Sequence, residues 1–395
     1  MDKIFVNYKN NLNQKKIFFW SSISFFISLP YIFILFFFVF FGIRDMWSFH
    51  ISFHLLNYKD YGFIKRGVVG SFIKPIFLFL KSDFFTLEIV ILIIYVFLLS
   101  IFCLLYWILC FKANTPYLIR LFLLLTPATF QFLGFNSPRT SELIWLILFA
   151  IWCLIFFRIK SYHYIHSALS GIIVSFSLLT YEGALFIIFP TIFFNIISKI
   201  ISSKKTSSYS HKFILINIAF LILPVFLTTY FLFSHGNFEG NSMVIQEMLD
   251  KVRVGIADTL SEVLVYNHIS ENSKLISNSR VNWFSNNIIF VIYFFSYLIA
   301  YLTEFFREKN PFHLLISLSS FSGIFLCAVA VDYSRYIALS MLTSSMTLFI
   351  YKKEGEWVNS KLWIPLIFSA ILGPIGCAGM VNPFPLWKYA FELIK

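Results

Sequence analysis

The sequence predicts an all-α, polytopic integral membrane protein, and three observations predict it. Hydrophobic residues make up 59% of the 395-residue chain and charged residues only 13%, whereas a soluble domain runs at about 45–50% and about 25%. Mean hydropathy is +0.80. Apolar runs recur that approach the roughly 20 residues needed to cross about 30 Å of hydrocarbon. Together these exclude a disordered chain and an ordinary water-soluble globule. The 53 phenylalanines reflect composition and carry no functional meaning of their own.

Eleven membrane helices are expected, near 17–42, 87–111, 117–134, 142–157, 167–180, 184–198, 213–234, 286–305, 311–331, 336–350 and 362–380. The fifth and sixth are short, and a broken hairpin that dips in and returns is the alternative for that pair. The apolar stretch at 68–80 is too short to span and contains Lys74 and Pro75, which makes it an interfacial helix. The whole chain, 1–395, then forms one transmembrane domain. No internal repeat of the transporter kind is evident.

Basic residues orient the spans. Lys3, Lys9, Lys15 and Lys16 precede the first helix. With alternating spans, Lys112 and Arg120, Arg158 and Lys160, Lys199 to Lys212, Arg307 and Lys309, and Lys352 to Lys361 all fall on that same side. Lys and Arg collect in cytoplasmic loops, so the N-terminus is placed in the cytoplasm and the C-terminus outside. The net charge of +12 is explained in this way rather than by nucleic acid. The five cysteines, Cys103, Cys110, Cys153, Cys327 and Cys377, all sit in apolar runs and form no metal knuckle or disulfide framework. No cleavable signal peptide is expected, because the first apolar run is too long and no small-residue site follows it.

Two outer segments are large: a first periplasmic loop at 43–86 and a second at 235–285. The later one contains MVIQEMLDKVRVGIADTLSEVLVY, whose apolar spacing predicts an amphipathic helix on the outer surface. The earlier one is the more informative. It carries Arg44, Lys59, Lys65, Arg66, Lys74 and Lys81 against Asp45, Asp60 and Asp83, on the side that should be poor in cations. Its piece DYGFIKRG sets an acid, a Lys-Arg pair and two glycines beside an apolar stretch. Gly62 and Gly67 permit close backbone approach. Arg66 suits a two-pronged grip on phosphate, and Lys65 acts as a compact charge.

Other outer turns repeat the theme. FNSPRTSE holds Arg139 and Glu142, with Ser141 placed to cap the next helix and Glu142 in its first turn. LLTYEGA places Glu182 in an otherwise apolar hairpin. VDYSRYIA sets Asp332 and Arg335 three apart, one helical face. All lie near span ends, where a charge avoids the roughly 2.5–3.5 kcal/mol of mid-membrane insertion. Plainer readings exist for several: a structural ion pair for Asp332–Arg335, and a helix-end charge for Glu142. His50 and His54 share a helical face but lack a third ligand, so no metal site is assigned. His163, His166 and His211 read as ordinary inner-face residues.

Outer arginines and a few carboxylates over a large helical bundle suit a lipid-linked phosphate substrate. The arginines would neutralise the leaving pyrophosphate, and a carboxylate would accept the proton of an attacking sugar hydroxyl. No GxxxxGK[ST] motif is present, so a pre-activated donor must supply the energy.

The pieces DYGFIKRGVVG, LLTYEGALF and VDYSRYIA resemble those of bacterial O-antigen polymerases, and the many spans and sizeable outer loop resemble them across the whole chain. The same pieces resemble the GT-C superfamily of membrane glycosyltransferases. The polymerase resemblance implies essential outer arginines, for which Arg66, Arg139, Arg253, Arg280 and Arg335 are available. The GT-C resemblance implies an acid of the first outer loop as base or metal ligand, matched by Asp60 or Asp45, with a possible divalent metal. The concentration of charge in the first outer loop, rather than the later one, fits the GT-C plan. Asp60, Glu182 and Asp332 are therefore expected in catalysis, and Lys65, Arg66, Arg139 and Arg335 in substrate binding. The resemblance implies an undecaprenyl-linked saccharide as substrate, lipid and other polysaccharide-assembly proteins as partners, and a bacterial inner-membrane location with the active face periplasmic. A lipid-linked glycan or small-anion transporter is the rival class. It would need ionisable residues along a path through the bilayer, and the sequence places them at the span ends instead.

Overall fold

In a computed structural model, the described residues are 54, 56–61, 67–79, 84–112, 140–159, 163–204, 211–235, 288–306, 311–328, 333–351 and 364. Among them every regular element is helical, and no strand occurs. The elements are α1 (Tyr58–Tyr61), α2 (Gly67–Phe79), α3 (Phe84–Lys112), α4 (Thr140–Arg158), α5 (Tyr164–Thr180), α6 (Ala184–Ile187), α7 (Phe189–Lys204), α8 (His211–His235), α9 (Ile288–Phe306), α10 (Pro311–Ser319), a 3-10 segment (Ser322–Ala328) and α11 (Tyr333–Tyr351). The expected helices at 17–42, 117–134 and 362–380, and the amphipathic helix of the 235–285 loop, lie outside the described residues.

Three stretches among those described are long and apolar enough to cross a membrane: Ile93–Cys110, Ala184–Ile201 and His211–His235. Shorter apolar helices, Thr140–Phe156, Tyr164–Thr180 and Tyr336–Tyr351 among them, pack between and beside them. The expected interfacial stretch is indeed helical, and Pro75 sits inside α2. Two expected single helices are interrupted. The sixth breaks at Ile188 into α6 and α7, just before Pro190, whose ring has no N–H to continue the ladder. The ninth, expected over 311–331, gives way to a turn at Ser320 and Phe321 and then to the 3-10 segment. The run SLSSFSG explains the second break: Ser317, Ser319 and Ser320 hydroxyls each donate to a carbonyl three residues back. Such local bonds compete with the α-helical ladder.

Side-chain contacts fix the helix directions. Trp152 Nε1 donates to Ser170 Oγ at 2.9 Å, so α4 and α5 run antiparallel about the short connection between them. Ser167 Oγ donates to Asn217 Oδ1 at 2.8 Å, and one turn on Gly171 faces Leu221, so α5 and α8 run parallel in steady register. A Cβ on Gly171 would stand 2.9 Å from the carbonyl oxygens of Phe220 and Leu221. Glycine is what lets these helices touch, the usual device where no hydrophobic effect drives helices together. Thr343 Oγ1 donates to the Ser320 carbonyl, Ser340 faces Gly323, and the Tyr351 ring meets His313 edge-on. The 311–328 segment and α11 therefore form an antiparallel pair. Tyr351 Oη donates to Asn195 Oδ1 at 2.6 Å near the far ends of α11 and α7, which run parallel.

The core lies among α3, α4, α7 and α11, with Tyr106 edge-on to Phe349 and Trp152 stacked on Phe156. Beside it runs a seam of buried hydroxyls. Tyr297 Oη lies within 3.1 Å of the Met341 carbonyl, Ser344 Oγ and Ser345 Oγ, and Tyr301 Oη bonds Ser320 Oγ at 2.9 Å.

Candidate functional site

The directions above put particular chain ends together. With Trp152 opposite Ser170, the first turn of α4 (Thr140, Glu142) comes level with the last turn of α5 (Thr180) and with Glu182 just beyond it. Tyr181, the neighbour of Glu182, reaches the hydroxyl of Tyr336, the neighbour of Arg335, at 3.3 Å. One end of the bundle thus gathers the start of α4, the α5–α6 turn and the start of α11.

The first outer segment docks at this same end. His54 is buried, and its Nε2 bonds Thr140 Oγ1 in the first turn of α4. Three residues later Asn57 opens α1. Its Oδ1 accepts the Asp60 backbone N–H at 3.0 Å, and its Nδ2 donates to Asp60 Oδ2 at 2.9 Å. That is a reciprocal cap, each partner satisfying the other's orphan group. The Tyr58 backbone N–H donates to Ser71 Oγ at 2.9 Å, and Ser71 Oγ donates to the Gly67 carbonyl at 2.7 Å. Lys74, one turn beyond Ser71 on α2, pairs with the Asp60 carboxylate. Between these anchors Gly70 lies flush on the Leu56 carbonyl, leaving no room for a Cβ, and the His54 carbonyl is 2.8 Å from where one would sit.

Asp60 is thus in place at the expected end, with its carboxylate taken up by Asn57 and Lys74. Burial, and after it the Lys59 charge, push the Lys74 ammonium below its ordinary range. The carboxylate in direct contact opposes this, and at that separation we read the pair as ionic. Burial alone raises the Tyr58 phenol from 10.0 to about 12.

The other expected site residues divide. Glu182 is half-buried in the turn between α5 and α6. Arg335 lies in the first turn of α11, where only its backbone is described. Lys65, Arg66, Arg139 and Asp332 lie outside the described residues, as does the Gly62 of the expected close approach. That approach is found at Gly70 instead, and it is made by the chain on itself.

Three features were not read from the sequence. Lys74 is the partner of Asp60, a pairing that the Ser71–Lys74 spacing on one face of α2 foreshadows. His54 joins the first outer segment to α4. Glu142, which reads as a helix-end charge, is only 2% exposed. The N-terminal end of α4 favours its negative charge, but the depth of its burial comes from tertiary packing. Among the described residues no group of three His, Cys, Asp or Glu side chains is disposed to hold a metal ion, and the described nitrogen contact of His54 is to Thr140. Comparison with protein-family models, with curated proteins and with solved structures finds no match to this chain.

Proposed function

We propose that the chain is a multi-pass glycosyltransferase of the bacterial inner membrane, with a GT-C-like bundle of about eleven spans. In this reading it is an O-antigen or surface-polysaccharide polymerase, moving a glycan from an undecaprenyl-pyrophosphate donor to an acceptor sugar hydroxyl on the periplasmic face. One observation carries the reading: Asp60, Glu142, Glu182 and the backbone of Arg335 belong to segments that meet at one end of an otherwise apolar bundle. Charge confined to one end suits a substrate whose lipid stays among helices while its phosphates lie at the interface. Lys65, Arg66, Arg139 and Arg335 would hold the pyrophosphate as charge builds on it. A carboxylate, from among Asp60, Glu182 and Asp332, would accept the proton of the attacking hydroxyl.

A second reading, a GT-C enzyme using a polyprenyl-monophosphate sugar, is favoured by the six cations and three acids of the first outer loop. Gel analysis of lipopolysaccharide from a deletion strain separates the two. Loss of the ladder with a single capped repeat retained supports the polymerase. A ladder of normal length with altered sugar content supports the single-sugar enzyme. An unchanged ladder with unchanged sugar defeats both. The transporter class is disfavoured because the deep polar groups of α11 are neutral hydroxyls that donate to carbonyls of their own helix. Saccharide flux into liposomes without bond formation would restore it.

A further inference from the structure

We infer that Glu142 is the proton acceptor of this site and that the indole N–H of Trp145 orients the acceptor hydroxyl beside it. The inference rests on the glycosyl-transfer reading and changes its chemistry. Of the carboxylates brought to this end of the bundle, Asp60 is the worst placed to act as a base. Its Oδ2 accepts from Asn57, and Lys74 sits against it. A carboxylate neutralised by an ammonium holds protons weakly, so the Asp60–Lys74 pair fastens α1 to α2. Glu182 is half-buried in a turn.

Glu142 differs in depth and in company. It is buried at the start of a 19-residue helix, two residues from the Thr140 hydroxyl that His54 grips. The first outer segment is therefore latched onto the very turn that holds this acid. Trp145 follows three residues later on the same face of α4. Its side chain is fully buried, and its Nε1–H meets no acceptor among the described residues. A buried donor left without an acceptor costs about 1–3 kcal/mol, and a bound sugar oxygen would remove that cost. Donor and acid on one face are the two contacts a hydroxyl needs: the indole gives its hydrogen to the oxygen, and the carboxylate takes the hydroxyl proton.

The step balances. As the acceptor oxygen forms its bond to the anomeric carbon, its proton passes to Glu142. The bond from that carbon to the phosphate oxygen breaks, and the electron pair leaves with undecaprenyl pyrophosphate. Glu142 then returns its proton to water.

The test uses the full chain in lipid nanodiscs and, as donor and acceptor, undecaprenyl-pyrophosphate saccharide extracted from a deletion strain. Rates are taken per folded molecule. Glu142→Gln should lower kcat by about a hundredfold to ten-thousandfold with donor KM little changed, and Glu142→Asp should recover part of the loss. Asp60→Asn should lose less kcat than Glu142→Gln. Trp145→Phe should raise acceptor KM. Wild-type kcat in Glu142→Gln overturns the inference while leaving glycosyl transfer standing, as does a larger kcat loss in Asp60→Asn. If both Glu142 variants fail to fold, an unchanged acceptor KM in Trp145→Phe overturns it. Failure of the wild-type chain to form any glycosidic bond removes the functional reading itself.

Discussion

Two polar regions of this molecule are both buried, and they are built on opposite principles. Around α11 the polar atoms are neutral and numerous: Ser340, Thr343, Ser344, Ser345 and Thr347 are all buried. Each donates to a carbonyl of its own helix, three or four residues back. At the end formed by α1, α2 and the starts of α4 and α11, the polar groups are ionisable and are linked across distant segments. A hydroxyl in an apolar interior can be satisfied by the nearest backbone carbonyl. A carboxylate cannot, and keeping it charged there needs a cation, donors or a helix dipole. The first region therefore needs nothing from outside to be stable, whereas the second holds charge at an energetic disadvantage. On this contrast the hydroxyl seam holds helices together and the charged end performs the chemistry.

The largest effect expected from this contrast is on activity. Replacing Arg335 by Ala should reduce glycan transfer by about a hundredfold or more, the scale of losing a group that stabilises transition-state charge, while thermal stability in detergent stays near wild type. The check is ladder formation together with a melting curve on the same preparation. Full activity in this variant would move Arg335 out of the site. A collapsed melting curve would make it a structural residue.

The reverse pattern is expected at the α5–α8 crossing. Gly171→Ile must push apart helices whose carbonyls stand 2.9 Å from the new Cβ. Overpacking of this kind costs about 1–3 kcal/mol and should lower the melting temperature, with activity per folded molecule retained. A variant as stable as wild type would mean that α8 is held elsewhere.

This crossing also marks how far the sequence is legible. The apolar runs foretold the helices closely: 142–157 against Thr140–Arg158, and 213–234 against His211–His235. Alternating spans foretold that α5 and α8 would run in the same direction. Hydropathy reads these features because each is a property of a continuous segment. What stayed hidden depends on contacts between segments. Lys74 finds Asp60 across a fourteen-residue separation, and His54 finds Thr140 across eighty-six. Glu142 shows in the sequence as a first-turn acid, a position favoured even in exposed helices, and nothing local reveals its burial. The break in SLSSFSG was half legible, since clustered serines compete with a helix, but its exact course depends on Gly323 meeting Ser340 and Ile187.

A smaller effect tests the seam. Tyr297→Phe removes the one hydroxyl that reaches both Ser344 and Ser345. Those serines keep their bonds to the Met341 carbonyl, so no partner is stranded. The expected cost is about 0.6 kcal/mol, the average for hydrogen bonds between membrane helices, read as a slight fall in melting temperature at unchanged activity. A loss of turnover instead would place the seam in the functional machinery and erase the contrast.

The smallest expected effect belongs to Tyr58 and reads the charged end through pH. Burial raises its phenol from 10.0 to about 12, so the folded chain favours the neutral form. The sign follows from linkage: the contribution is complete below about pH 10 and is lost as pH rises through about 12. Its backbone N–H anchors α1 to Ser71, so ionisation there should loosen α1 from α2 before the helices of the seam respond. Ultraviolet difference spectra of wild type against Tyr58→Phe, followed through an alkaline titration, isolate this one phenol from the other tyrosines. A midpoint near 10 would mean that the first outer segment is open to solvent. In that case the docking of His54 on Thr140 would no longer supply a fixed edge to the site, and the charged end would have to be assembled by substrate.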